Sequence, residues 1–323
     1  MNGKVKNLSV DESYAKFSAM LSGEMAESEI EEFLLALKEK GETADEILGA
    51  AKAMRKLALK FDNSFPDIMD VCGTGGDGLS TLNISTAVAF VVAACGVKVA
   101  KHGNKAVSSA SGSSDVVSEL GIRLDSSTLE ETNFVYLHAP SYHTGMKYIS
   151  PVRAKLKTRT IFNLLGPLCS PAQAKRQLIG VYDANLLRPF AEVLRGLGTK
   201  KAWIVHGENG MDEISISGKT QVAELDKGAI DIFEISPEDF GLPTYPIEEI
   251  KGGDAKYNAQ KMRDLFNGEK GAYRDIVLLN SAAALIVADK VHTIEEGISQ
   301  AAKAIDSGKA NEIVYRLSNI VYR

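Results

Sequence analysis

The chain has 323 residues, 45% of them apolar and 24% charged, with 37 Lys and Arg against 42 Asp and Glu for a formal charge of −5. That length exceeds what one small core organises and fits two domains, or one large domain with a small one attached. With no basic excess a nucleic-acid partner is not expected, because such binding rests on Lys and Arg neutralising phosphates.

Cys72, Cys95 and Cys169 are too few and too far apart for a zinc site or a disulfide framework. The most apolar run, Ala87 to Val97, stops at Lys98. It falls well short of the ~18–20 residues that span a bilayer, so no membrane partner is expected. Met1 to Val10 lacks the apolar core of a signal peptide, the sequons at Asn7 and Asn83 read as chance spellings, and the cytoplasm is the expected compartment.

The first sixty-odd residues read as helices. Ile30, Phe33, Leu34 and Leu37 recur at helical spacing and Gly41 stops that helix. Thr43 and Glu46 spell a capping box for the next, which runs through Ile47, Ala50, Met54 and Leu57; Asp62 to Pro66 reads as a linker. A different texture begins at Asp67. A strand at Ile68 to Val71 leads into a glycine-rich segment, then an apolar helix from about Asn83 to Cys95, then a strand at Val97 to Ala100. That strand–loop–helix–strand unit belongs to an α/β domain with a parallel sheet. Further strands are expected at Phe134 to Leu137, Leu178 to Val181 and Trp203 to Val205. Asp183 should cap a helix ending at Gly198, Thr220 to Ile235 reads as β-rich, and Ile294 to Ile305 as helix.

Five segments carry chemistry. Gly73-Thr74-Gly75-Gly76-Asp77-Gly78 has four glycines in six residues between strand and helix. Such a loop brings backbone N–H groups close to an anion at the positive end of a helix. It also spells the dinucleotide fingerprint, but a dehydrogenase wants an acid after the next strand, where this chain has Lys101 and His102. A glycine-rich turn without ligand is the plainer alternative. Thr81, Asn83, Ser85 and Thr86 follow at the helix start, where they can cap the helix or contact a phosphate; capping accounts for one or two of the four and not for all. Lys101 to Asp115 reads either as a mobile loop that closes on an anion or as a solvated loop with incidental lysines. Asp212-Glu213 is a common spelling of weak meaning. Were these acids to face a pyrophosphate, a carboxylate ~4 Å away would repel it by about 4 kcal/mol at an effective dielectric of ~20. A divalent ion would then have to intervene, and Mg²⁺ suits hard oxygen ligands. Arg159 could hold a carboxylate bidentately or form a surface salt bridge.

These pieces, in this order, resemble anthranilate phosphoribosyltransferases. The resemblance rests on Gly73 to Gly78, Asn83-Ile84-Ser85-Thr86, Lys101-His102-Gly103-Asn104, the run Arg159 to Leu168 and Met211-Asp212-Glu213. Weaker likeness extends from about residue 8 through Gly252-Gly253-Asp254 and Asn280 towards 310. It implies a small helical domain over 1–66, taking back a segment at about 163–176, and a larger α/β domain over 67–323. That domain would carry a central, mostly parallel mixed sheet of the nucleoside-phosphorylase and phosphoribosyltransferase kind. It further implies a homodimer joined through the helical domain and transfer of phosphoribose from phosphoribosyl pyrophosphate to anthranilate.

Carried over by position, Gly73, Gly76, Asp77, Thr81, Asn83, Ile84, Ser85 and Thr86 would bind the donor. So would Lys101, His102, Gly103, Asn104, Lys105, Ala106, Val107, Ser108, Ser109 and Ser113. Ser85, Asp212 and Glu213 would hold Mg²⁺, two ions per subunit. Gly73, Asn104 and Arg159 would meet anthranilate, with Tyr142 and His143 on its path; His102 and His143 are the candidate proton acceptors. Three departures bear on shape: Lys105 where the family has Arg, His138 where it prefers Phe, and Thr144-Gly145 where it has Pro-Ala. The rival readings are a pyrimidine nucleoside phosphorylase and a non-catalytic nucleic-acid-binding relative. The second would need a basic surface and eroded carboxylates.

Overall fold

The computed structural model describes residues 6–61, 65–105, 110–123 and 129–319. Caps and apolar spacing explain its N-terminal helices, α1 (Val10–Ser22), α2 (Glu27–Lys40) and α3 (Ala44–Leu57). Ser9 and Glu12 form a reciprocal capping box on α1, and Thr43 and Glu46 form the expected one on α3. Glu46 is fully buried, and its carboxylate also accepts the Leu8 N–H at 2.9 Å and the Lys40 ammonium at 2.8 Å. A buried charge needs such partners.

The α/β part begins with β1 (Met69–Gly73), α4 (Ile84–Ala94), β2 (Val99–Gly103), α5 (Ser113–Glu119), α6 (Leu129–Thr132) and β3 (Phe134–His138). Short helices α7 (Ala139–Tyr142), α8 (Ser150–Leu156) and α9 (Phe162–Leu168) lead to β4 (Arg176–Gly180), α10 (Leu187–Gly196) and β5 (Lys201–Gly207). The chain then forms β6 (Thr220–Asp226) and β7 (Ala229–Ile235), and closes with α11 (Ala255–Phe266), α12 (Ala272–Val287), α13 (Ile294–Asp306) and α14 (Lys309–Ser318). Asp183 caps a 3-10 turn, Ala184–Leu186, ahead of α10 and not α10 itself.

Among the described residues the sheet has seven strands in the order β3-β2-β1-β4-β5-β6-β7. The first five are parallel; β6 and β7 form an antiparallel edge. Val71, Leu178, Trp203 and Val222 face the core under α4, α12, α13 and α14. Cys72, Ile179, Ile204 and Ala223 face the other way, sharing one core with α10 and with Phe17, Leu34, Ile47 and Met54 of the N-terminal helices. Chain order reverses between β1 and β4, so the carboxyl ends of those strands form the crevice where open α/β sheets bind ligands.

One further expectation changes. The second strand runs Val99–Gly103, not Val97 to Ala100, so Lys101 and His102 lie in the sheet and not in a loop. Both are buried because their polar ends find partners there, described below. Alongside α9, which touches α3, earlier pieces also rest on the N-terminal helices. The 3-10 turn Thr144–Tyr148 touches α1 and α3, and α8 touches α2. Of the linker expected at 62–66, residues 62–64 lie outside the described residues.

Candidate active site

The glycine loop leaves β1 at Gly73, which pairs with Gly180 at the end of β4. Thr74 prolongs that pairing: its N–H donates to Gly180 O at 2.9 Å, and its hydroxyl accepts from Tyr182 N. Gly75, Gly76 and Gly78 turn at φ of 67°, 76° and 78°, where side chains are strained. Gly73 and Gly180 matter for another reason, close approach. A Cβ at Gly73 would lie 2.3 Å from Asp212 Oδ2, and one at Gly180 1.4 Å from Asp212 O. The two glycines form the notch into which Asp212-Glu213, beyond β5, is set.

Within that notch Asp212 Oδ2 accepts the Gly75 N–H at 2.7 Å, and Glu213 Oε1 accepts the Ser85 N–H at 3.2 Å in the first turn of α4. Burial pushes both carboxyls well above the carboxylate range, Asp77 adding to Asp212 and Asp212 adding to Glu213, while Lys101 opposes the rise at Glu213. Three acids that repel each other, together with the Ser85 hydroxyl, make an all-oxygen donor set. That set fits a hard divalent cation such as Mg²⁺.

Lys101 reaches the site from inside the sheet. It is 2% exposed, and its ammonium donates to Val71 O at 2.7 Å and Ser85 Oγ at 3.1 Å. His102 points to the other face. Its Nδ1 lies 2.5 Å from Asp70 Oδ2 and its Nε2 2.7 Å from Gly166 O. Both ring nitrogens face acceptors, so in this arrangement the His102 side chain braces β2 against the end of α9. Gln177 Nε2 takes Pro167 O at 2.9 Å and Arg55 Nε takes Leu168 O at 2.6 Å. Three consecutive carbonyls at the end of α9 thus receive side-chain donors from β2, β4 and α3. Asp70, Cys72 and His102 place ligand atoms within 4.8 Å of each other. Burial pushes the Cys72 thiol up, and the Asp70–His102 bond gives the acid its partner.

The remaining expected residues divide. Asp77 Oδ1 accepts the Leu79 N–H, and Thr81 bridges to Lys251. Asn83 precedes α4 without capping it, and Thr86 is buried. Ile84 is 2% exposed and belongs to the core, so only its backbone can meet a ligand. Gly103 admits Ser113 Oγ and the Tyr136 hydroxyl, themselves 2.7 Å apart. Asn104 and Lys105 are exposed, and Asn104 Oδ1 accepts the Lys105 N–H. Ala106, Val107, Ser108 and Ser109 lie outside the described residues. Arg159 donates to Gly76 O and lies 4.0 Å over the Tyr182 ring, which ties the segment before α9 to the glycine loop. Tyr142, like Phe61 and Phe65, packs against a small core that includes Leu129, Val135 and Leu137. His143 borders Leu21, Met54 and Leu57, and burial pushes its imidazole down to about 4. It is a neutral wall and a weak proton acceptor.

Sequence reasoning gives no role to Asn258 or Asn280. Asn280 is fully buried in α12 and clamps the peptide after Glu213, accepting Ile214 N–H at 2.9 Å and donating to Ile214 O at 2.8 Å. Each sits on the apolar face of its helix, and a polar residue there is the signal to follow.

The chain matches the glycosyl transferase family's helical bundle domain over residues 1–58 and its a/b domain over 65–311. It is 50% identical over 316 residues to the anthranilate phosphoribosyltransferase of Parvibaculum lavamentivorans, covering 96% of this chain and 92% of that one. The crystal structure of the Thermus thermophilus enzyme superimposes with a TM-score of 0.92 at 39% identity, covering 97% of this chain and 95% of that one. The Saccharomyces cerevisiae enzyme in complex with PRPP and Mg does so at 0.87 and 30%, covering 96% and 92%. Identity of that level along nearly the whole length, on the same fold, means that the chain belongs to the anthranilate phosphoribosyltransferase family.

Proposed function

We propose that the protein transfers the phosphoribosyl group of 5-phosphoribosyl 1-pyrophosphate to the amine of anthranilate. The products are N-(5-phosphoribosyl)anthranilate and pyrophosphate, a step of tryptophan biosynthesis. One juxtaposition carries the reading. An anion cradle of glycine loop, helix N-terminus and Lys101 meets an acid cluster of Asp77, Asp212 and Glu213 at the switch point of the sheet. Acids beside a phosphate site make sense when a divalent cation joins the two.

The aromatic amine is neutral near pH 7. It attacks the anomeric carbon as the bond from that carbon to the pyrophosphate oxygen breaks, and the nitrogen then gives up its surplus proton to solvent. The glycine loop, the N-terminal end of α4 and the Lys101 ammonium form the cradle for the donor's phosphates. Arg159 orients the acceptor through its carboxylate. Ser85, Asp212 and Glu213 would hold Mg²⁺, two ions per subunit, which when bound neutralises charge on the departing pyrophosphate. Asn104 completes the acceptor side, and closure of the helical part over the sheet excludes water.

Exposed Leu35, Leu57 and Leu59 on and beside the N-terminal helices support a homodimer through that part. A monomeric mass by light scattering at micromolar concentration would remove the dimer. No helix among the described residues is long and apolar enough to cross a membrane. We place the enzyme in the cytoplasm, where charge confines its phosphorylated donor. The test of function is loss of anthranilate fluorescence on adding the donor, with and without Mg²⁺. Rapid Mg²⁺-dependent loss is expected. No loss from folded protein that binds pyrophosphate would reject anthranilate as acceptor, and no pyrophosphate binding would reject the donor site.

A further inference from the structure

Asn258 lies in the first turns of α11, is 2% exposed, and touches three segments of the donor cradle. Its Oδ1 accepts the Gly253 N–H at 2.8 Å. A backbone N–H can only donate, so this contact fixes which end of the amide is oxygen. The Nδ2 end then donates to Asn83 Oδ1 at 2.9 Å and to Ser111 Oγ at 2.8 Å. Ser111 stands at the end of the loop that follows Lys101, and Asn83 stands at the entry to α4.

The frame behind Asn258 is rigid. Leu82 N donates to Ile250 O at 2.9 Å and Gly252 N to Ser80 O at 2.8 Å, so residues 250–252 run alongside 80–82. Gly252 permits this contact, because a Cβ there would lie 2.5 Å from Thr81 O. Asp254 caps α11 by accepting the Tyr257 N–H at 2.8 Å, which sets the direction of the Asn258 side chain.

The consequence falls on Asn83. Its oxygen is held by a buried donor, so its own N–H₂ faces the other way. We propose that Asn258 is a positioning residue that sets the polarity of Asn83, making it present N–H donors, and not a carbonyl oxygen, to the anionic phosphoribosyl donor. Polarity passes from Gly253 N–H through Asn258 to Asn83 and on to the ligand. The proposal rests on the reading of Asn83 as a donor contact.

Asn258→Asp is isosteric and reverses the relay. The carboxylate still accepts from Gly253 but can no longer donate, so the Asn83 amide turns over and aims its oxygen at the phosphates. A hydrogen bond to a charged group corresponds to about ten- to a hundredfold. The Michaelis constant for the donor should rise by that factor, with kcat and the anthranilate constant within about twofold. The added negative charge is separated from the relay by repeating the measurement on Asn83→Ala, where Asn258→Asp should have little further effect. Asn258→Leu adds no charge, and a several-fold rise in the donor constant that disappears on Asn83→Ala serves if the Asp variant does not fold. Equal effects of Asn258→Asp with and without Asn83 would overturn the relay, as would no effect while Asn83→Ala raises the donor constant. If Asn83→Ala leaves the donor constant unchanged, the reading of Asn83 itself fails and the relay with it.

Discussion

The two sides of the cleft are built differently. On the function we propose, the donor side is made of strand ends, a helix N-terminus and a buried lysine whose ammonium is held by β1 and α4. On the same reading the acceptor side is made of α7, the turn at 144–148 and the segment before α9, short irregular pieces of which the turn rests on α1 and α3. A highly charged donor needs fixed dipoles and charges to replace its water, and those are most exact on regular elements. A flat aromatic acid needs an apolar slot and one cation, which irregular segments supply.

The sharpest way to break this comparison is at the notch. Gly180→Ala puts a methyl where Asp212 O stands. Asp212-Glu213 must then leave the notch, and Mg²⁺-dependent turnover should fall by more than about a hundredfold, the scale of losing preorganised charge stabilisation. Near-normal turnover by the fluorescence assay would mean that the acid pair works from another position.

Arg159→Ala probes the opposite side. Losing a charge-assisted contact corresponds to about 1.5–3 kcal/mol, so the anthranilate Michaelis constant should rise roughly ten- to a hundredfold. The donor constant should move far less. Equal rises in both would show that Arg159 serves chiefly to hold Gly76 and the glycine loop.

Asn280→Ala sharpens the donor side at one remove. It strips both partners from the buried peptide of Ile214, and each unsatisfied group costs about 1–3 kcal/mol. The unfolding midpoint should drop, and the Mg²⁺ concentration for half-maximal rate should rise several-fold. Lower stability with an unchanged Mg²⁺ requirement would leave Asn280 a core residue only.

The same contrast governs how much can be read from sequence. The strand–glycine loop–helix unit and the cap at Thr43 announce themselves because local chemistry dictates them, whereas the acid pair gains its meaning only from the glycine loop it meets in the fold. Lys101 and His102 read as loop residues and fold into a strand. Nothing local says that a lysine in a strand will find Val71 O and Ser85 Oγ, or that a histidine will find Asp70 and Gly166 O. Those partners lie 16 to 64 residues away in the chain. Asn258 and Asn280 escape a sequence reading for the same reason. The Thr144-Gly145 departure gains a cause only in three dimensions: a Cβ at Gly145 would lie 2.7 Å from Leu21 O, so glycine lets this segment rest against α1.

His143 offers the smallest effect and a test of the acceptor wall by pH. Its imidazole is held at about 4, mainly by burial, with His102 adding to the fall and a bond at Cys169 opposing it. An unfolded histidine titrates near 6.5. The unfolded chain therefore binds the proton more readily between these values, and folding stability rises with pH across that window. The contribution is fully present above about 6.5 and is lost as pH falls towards 4. Its size is at most about 3 kcal/mol, since each tenfold loss of proton affinity corresponds to about 1.4 kcal/mol. His143→Gln, neutral at every pH, should flatten that part of the stability profile measured by urea unfolding from pH 4 to 7. It should leave turnover at pH 8 within a few-fold, as expected of a wall that takes no obligatory proton. An unchanged slope would mean that water reaches the ring in solution, and that the small cavity His143 shares with Leu21 and Met54 is open to solvent.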